Sequence, residues 1–179
     1  MSALRFYLSS SVMKKQVMGV TGLLLCGFLI SHLAGNCLIY VGSDVFNTYA
    51  YTLISNPLIY VAEAILAAIF FTHLGLALKL TMENKAARPQ RYYIQQNTGR
   101  GATFASSTMP YTGLIVLTFM ILHLLHFKFG PVYMTNVDGV EMRDLYKTVI
   151  MYFQSPLNVA WYIFAMIALA SLKLAAVSH

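Results

Sequence analysis

Four long apolar runs dominate this sequence and restrict what the chain can fold into. They cover about residues 17–40, 57–80, 109–129 and 156–179, called spans I to IV, and at about 1.5 Å per residue each can cross roughly 30 Å of hydrocarbon. Only 10% of the 179 residues are charged, and 58% are hydrophobic. The sequence therefore predicts an all-α integral membrane protein, a single transmembrane helix bundle with four visible spans.

The charges between the spans predict how the chain is oriented. The connection between spans I and II has no Lys or Arg. The N-terminus and the connection between spans II and III hold most of the basic residues, namely Arg5, Lys14, Lys15, Lys79, Lys85, Arg88, Arg91 and Arg100. Basic residues concentrate on the cytoplasmic side, so we expect a multi-pass protein of the cell inner membrane with a cytoplasmic N-terminus. The same distribution explains the net charge of +6 without a nucleic-acid partner.

Each span carries a histidine, and polar side chains at such depth are costly and tend to be functional. With the helical rise, His32 lies about 22 Å from the inner end of span I and His123 about 21 Å from the inner end of span III. His73 lies about 24 Å from the outer end of span II, and His179 is near the inner end of span IV. The spacing thus predicts an outer layer, His32 with His123 or the nearby His126, and an inner layer, His73 with His179.

Two matched layers of histidine suit two b-type haems stacked across a helix bundle. Each haem iron needs two axial imidazoles from facing helices at the same height. Small residues beside the histidines, Ala34, Gly35, Gly75 and Ala77, would leave room for the macrocycles, although such residues also let helices pack closely in lipid. The other interpretation of each histidine is a hydrogen bond to a neighbouring group.

Three stretches of the chain resemble the membrane cytochrome b subunit of succinate dehydrogenase and quinol:fumarate reductase, in its dihaem b558 branch. They read "SSSVMKKQVMGVTGLLLCGFLISHLAGN", "FNTYAYTLISNPLIYVAEAILAAIFFTHLGLALKLTMENKAARPQRY" and "TGLIVLTFMILHLLHFKFG". The resemblance implies two haems b, menaquinone or menaquinol, and electron transfer in this chain as the anchor subunit of an enzyme complex. It also implies a flavoprotein subunit, an iron–sulfur subunit and membrane lipid as partners, and it allows a dimer of such heterotrimers.

The resemblance further implies which histidines bind iron. The family's ligands fall on His32, His73 and His123, with His32 and His123 sharing the outer haem, and His126 then lies near haem or quinone. His179 is assigned as the fourth ligand, although the family has its ligand earlier in span IV and has a fifth span. The chain ends at "LAAVSH" without a polar tail, so we expect a continuation beyond it.

Glu63 is the only carboxylic acid inside a span, about 9 Å from the outer end of span II. A carboxyl group there can exchange protons, so Glu63 is predicted to accept the protons of menaquinol, with their release outside. A hydrogen bond to the helix backbone is its other interpretation. Two other functions stay open, a proton-coupled transporter or channel subunit without haem, and a stand-alone b561-like transmembrane cytochrome.

Overall fold

The structure, a computed structural model, describes residues 10–87 and 104–177. The chain divides into two compact units, Met1–Arg91 and Tyr92–His179. The first unit contains helix α1 (Ser11–Asn36), a 3-10 turn (Cys37–Tyr40), α2 (Ser43–Ser55) and α3 (Leu58–Ala86). The second contains α4 (Phe104–His123), a π-helical turn (Leu124–Lys128), strands β1 (Met134–Val137) and β2 (Val140–Arg143), α5 (Leu145–Phe153) and α6 (Pro156–Val177).

Several of these helices could cross a membrane. Three segments of the described chain are long and apolar enough, namely Ser11–Tyr40, Leu58–Ala86 and Pro110–Lys128. The bent pair α5–α6, whose two helices meet at 98°, is a fourth candidate. Large apolar side chains on these helices are exposed, for example Leu23 at 74% and Phe71 at 67%. The prediction of a helical chain with spans of membrane-crossing length is therefore confirmed.

The helices α1 and α3 extend beyond the predicted spans at the end that carries basic residues. The first begins at Ser11 rather than at residue 17, and the second ends at Ala86 rather than at residue 80. Ser10 caps α1, because its hydroxyl accepts a hydrogen bond of 3.2 Å from the backbone N–H of Met13. The added turns contain Lys, Gln, Met and Glu, which favour helix outside hydrocarbon as well as inside it.

Helices α1 and α3 pack against each other in antiparallel directions. Near the start of α1, Lys14 Nζ lies 2.5 Å from Glu83 Oε1 near the end of α3. Farther along the pair, Thr21 of α1 contacts His73 of α3. Two consecutive spans that cross a membrane in opposite directions would have this antiparallel arrangement.

The connection between α1 and α3 folds into helix α2, which the sequence prediction treated only as a connection. Helix α2 buries Phe46, Asn47 and Ala50. Its Tyr49 lies so close to α1 that a Cβ added at Gly35 would be 2.6 Å from the Tyr49 hydroxyl oxygen. Gly35, which we considered as room for a haem, instead allows α2 to approach α1.

In the second unit, α4 and α6 pack together, and a β-hairpin follows the end of α4. The two strands are antiparallel, with Val137 opposite Val140. The turn residues Asp138 and Gly139 have φ angles of 51° and 82°, as a two-residue type I′ turn requires. The side chain of Asn136 closes the turn by accepting a 2.9 Å hydrogen bond from the Gly139 N–H.

Arg143, the last residue of β2, ties the hairpin to the end of α4. Its guanidinium donates hydrogen bonds to the carbonyl oxygens of Phe127 at 2.9 Å, Lys128 at 3.3 Å and Pro131 at 3.4 Å. Carbonyl groups at a helix end have no partner within the helix, so this contact satisfies them. The next residue, Asp144, caps α5 by accepting a 2.9 Å hydrogen bond from an N–H of that helix.

The approach of α2 to α1 predicts that Gly35→Ala is more destabilising than Gly19→Ala. At Gly19 an added Cβ meets nothing within 4 Å, so the change gains helix propensity of about 1 kcal/mol. At Gly35 the methyl group collides with the outer ring atoms of Tyr49, so this ring must move away from α1, which should cost about 1 kcal/mol. Thermal unfolding of the two purified variants in detergent, followed by circular dichroism, measures the difference. Equal midpoints would contradict the described packing of α2.

Candidate functional site

His73 lies at the contact between α3 and α1. Its side chain is half-buried, and Nδ1 is 3.1 Å from the hydroxyl oxygen of Thr21. The next residue of α1, Gly22, faces the same ring, because a Cβ added there would lie 3.3 Å from His73 Cε1. The imidazole is therefore held at Nδ1 by the Thr21 hydroxyl and at Cε1 by the adjacent Gly22. Nε2 is the ring nitrogen that remains for a ligand bond.

Thr21 is one of the few buried polar residues of the described chain, with 7% of its surface exposed. Its Oγ1 is 2.8 Å from the carbonyl oxygen of Val17 and 3.0 Å from that of Met18, both in its own helix. A hydroxyl group in this position commonly donates to such a carbonyl. The sequence prediction did not identify Thr21. The signal that could have found it is the antiparallel pairing of spans I and II, which brings "VTG" opposite the middle of span II.

His32 and His73 lie at different levels of this helix pair. His32 follows Thr21 by 11 residues in α1, which is about 16 Å along the helix axis. Its side chain is exposed, and its ring stacks on Phe28 with centroids 5.3 Å apart. The backbone carbonyl of His32 accepts a 2.8 Å hydrogen bond from the side-chain amide of Asn36. The first unit thus presents two imidazoles separated along its length.

Glu63 lies near the start of α3, with its side chain exposed. It precedes His73 by 10 residues, about 15 Å along the axis, while His32 is about 16 Å from the level of His73 on the antiparallel helix. The antiparallel register therefore brings Glu63 and His32 to nearly the same level. This is the end of the unit opposite to the one marked by Lys14 and Glu83.

His123 lies among aromatic rings in the second unit. It is the last residue of α4, and its ring centroid is 5.5 Å from Phe119, 5.2 Å from Phe127 and 6.3 Å from Tyr162 of α6. Because all of these neighbours are flat and apolar over most of their surface, they provide the kind of wall that a planar cofactor packs against. The Tyr162 hydroxyl is a buried polar atom without a hydrogen-bond partner among the described residues.

His126 contacts Tyr152, which α5 brings back toward the end of α4. The two ring centroids are 4.3 Å apart, and the Tyr152 hydroxyl oxygen is 3.4 Å from His126 Nε2. His126 belongs to the π-helical turn, in which the N–H of Phe129 donates to the carbonyl oxygen of Leu124, five residues earlier, at 3.0 Å. Such turns are rare and frequently occur at functional sites. In the described structure, His126 Nδ1 is buried without a hydrogen-bond partner.

The predicted fourth ligand, His179, lies outside the described residues, as do Arg88, Arg91 and Arg100 of the basic connection. His32 belongs to the first unit and His123 to the second, so their pairing on one iron stays a prediction. Among the described residues, no group of three or more His, Cys, Asp or Glu side chains is arranged to hold a metal ion. An axial haem site needs only two imidazoles, because the porphyrin supplies the other ligands of iron.

The described side chains near these histidines are of the types that bind a haem group. A ligating imidazole usually makes a hydrogen bond with the ring nitrogen that does not bind the metal, and His73 has such a contact with Thr21. Near His123, the partnerless hydroxyl of Tyr162 and the partnerless Nδ1 of His126 are buried polar atoms of the kind that a polar ligand group satisfies. The chain's own side chains thus provide imidazoles, aromatic walls and unsatisfied polar atoms.

Comparisons with protein-family models, curated proteins and solved structures found no match to this chain. Its candidate site is accordingly defined by its own residues, namely His32, Glu63 and His73 in the first unit and His123 and His126 in the second.

The contact of Tyr152 with His126 predicts different effects for two substitutions. Tyr152→Phe keeps the ring contact and loses only the 3.4 Å hydroxyl contact, so stability should change by less than about 1 kcal/mol. Tyr152→Ala also removes the ring from Phe127, Phe153 and Tyr162, which should cost about 3 kcal/mol. Chemical denaturation in detergent measures both. Tyr60→Ala is the control, since Tyr60 is 71% exposed and its removal should change stability by about 0.5 kcal/mol or less. If Tyr60→Ala lost as much stability as Tyr152→Ala, the described packing of Tyr152 among these rings would be refuted.

Proposed function

We propose that this chain is the haem-bearing membrane anchor subunit of a succinate:quinone oxidoreductase or quinol:fumarate reductase. The observation that carries the proposal is the pair of imidazoles at two levels of the α1–α3 unit, about 16 Å apart, with the inner one held by a hydroxyl group through Nδ1. The resemblance of three long stretches to the dihaem cytochrome b family supports the same function.

In this proposal the outer haem b is held by His32 and His123, and the inner haem b by His73 with His179. The aromatic rings around His123 would bound the outer group, and Thr21 and Gly22 fix the His73 imidazole on its own side. A bound haem b supplies one-electron redox chemistry at each level. The protein's part is to hold the imidazoles, exclude water and set the distance between the two levels.

Menaquinol is the proposed electron donor, and Glu63 is the proposed acceptor of its protons. Oxidation of one menaquinol releases two electrons and two protons. Glu63 lies at the level of His32, so the protons leave the quinol close to the point where the electrons enter the chain. Its position near the start of α3, about 9 Å from the outer end of the predicted span, keeps the path for these protons to the outer aqueous phase short. His126, with Tyr152 beside it, is a second polar group proposed to contact the haem edge or the quinone.

Groups held at the level of His32 and at that of His73 would provide a route for electrons toward the end marked by Lys14 and Glu83. That end is predicted to be cytoplasmic because it carries the basic residues. An iron–sulfur subunit and a flavoprotein subunit that interconverts succinate and fumarate are the proposed partners there. The proposed location is the cell inner membrane, with the N-terminus in the cytoplasm.

Ligand assignments are tested by counting haem in the purified membrane complex with the pyridine haemochrome assay. We expect two haems b per chain in the unmodified protein and one in each of His32→Leu, His123→Leu and His73→Leu, because each variant loses an axial imidazole. In a redox titration, H32L and H123L should lose the same component and H73L the other. Tyr60→Leu is the control, because Tyr60 is 71% exposed on α3 and takes no part in the proposed haem sites, so it should keep both haems. A complex without haem would refute the cytochrome function and favour the transporter hypothesis.

The role of Glu63 is tested separately from haem binding. Glu63→Gln should reduce menaquinol-linked fumarate reduction at least about 100-fold, within the range that a positioned proton acceptor contributes. The variant should keep two haems and full activity of the complex with a water-soluble electron donor to the partner subunits. Glu83→Gln is the control on the same helix, because Glu83 pairs with Lys14 at the opposite end and should keep quinol activity. Full quinol activity in E63Q would exclude Glu63 as the acceptor.

A further inference from the structure

The hydroxyl of Thr21 has one proton and a choice of acceptors. Two backbone carbonyl oxygens of its own helix, those of Val17 and Met18, lie 2.8 and 3.0 Å from Oγ1. His73 Nδ1 lies 3.1 Å from the same atom. A carbonyl oxygen can only accept, so the Thr21 hydroxyl donates its proton to a carbonyl of its own helix. Its oxygen lone pair is then directed at His73 Nδ1 and can accept a hydrogen bond from it.

We propose that Thr21 accepts a hydrogen bond from His73 Nδ1–H and so positions His73 as the electron-donating ligand of the inner haem. The inference rests on the proposed function and adds a residue that acts through the ligand. An acceptor on Nδ1 selects the tautomer whose Nε2 lone pair is available for iron. It also makes the imidazole more basic, and a more basic ligand stabilises ferric iron.

Gly22 provides the second part of the arrangement. An added Cβ would lie 3.3 Å from His73 Cε1 and 3.8 Å from Nδ1, so this edge of the ring lies close against the glycine. The hydrogen bond that Nδ1 donates to Thr21 and the contact of Cε1 with Gly22 act on neighbouring atoms of the ring. Together they restrict both its tautomer and its rotation about the Cβ–Cγ bond.

A purely structural role for Thr21 is the alternative, since hydrogen bonds between helices also hold membrane proteins together. The two roles differ in what they change. A structural bond affects assembly and stability of the α1–α3 pair, whereas a bond that tunes the ligand changes the midpoint potential of one haem and leaves the other unchanged. The haem midpoint is therefore the deciding measurement.

The test is a redox titration of the full membrane complex that carries Thr21→Val, which has the same shape but cannot accept a hydrogen bond. The inner haem is identified as the component lost in His73→Leu. We expect its midpoint to become more positive, because the ferric state loses stabilisation, while the outer midpoint stays unchanged. The low-spin ferric electron paramagnetic resonance signal of the inner haem should also shift as the ring loses its fixed orientation. Thr21→Ser keeps the hydroxyl and should restore both values.

Thr81→Val is the matched control, because the Thr81 hydroxyl donates to the Ala77 carbonyl of its own helix, at 2.7 Å, and has no contact with a histidine among the described residues. It should leave both midpoints unchanged. If Thr21→Val prevents assembly, Thr21→Cys decides, since a thiol is a weaker acceptor and should shift the inner midpoint in the same direction. Two haems with an unchanged inner midpoint in T21V would overturn this inference alone, and so would a negative shift. Absence of haem from the unmodified complex would overturn the proposed function as well.

Discussion

The contact between α1 and α3 is the constraint on which the arrangement of the first unit depends. If these helices cross a membrane, apolar contact between them gains little in lipid, and close packing and hydrogen bonds determine how they associate. The Thr21 hydroxyl and the Gly22 backbone provide both at one point, and they fix the antiparallel register. Once that register is fixed, the levels of His32 and Glu63 follow from the helical rise alone.

Much of the helical framework could be predicted from the sequence, because apolar length and charge placement are strong signals. The helices Ser11–Asn36 and Leu58–Ala86 were predicted as spans, and α6 begins at Pro156 as expected for a proline in a first turn. The helix α2, the hairpin and α5 were missed, since they are short and lie between the spans. The pair Asp138–Gly139 was nevertheless a readable signal for a type I′ turn.

The candidate site was predictable only in part. Histidines inside apolar runs are conspicuous, and their depths can be counted from the sequence. Thr21 is not conspicuous, because a threonine in a spanning helix commonly bonds its own backbone, and only the packing of α1 on α3 reveals its second contact. Tyr152 was hidden for a different reason, since the β-hairpin reverses the chain and α5 then brings Tyr152 back to His126, 26 residues earlier in the sequence.

The 98° angle between α5 and α6 has a consequence for the depth of the second unit in a bilayer. If α6 follows the membrane normal, α5 lies nearly parallel to the membrane plane, with Ile150 and Met151 among its exposed apolar side chains. A helix in that position follows the boundary between headgroups and acyl chains. In a bilayer, changes in hydrocarbon thickness would then be accommodated at the far end of α6, and His126, which contacts Tyr152 of α5, would stay near the membrane surface along which α5 lies.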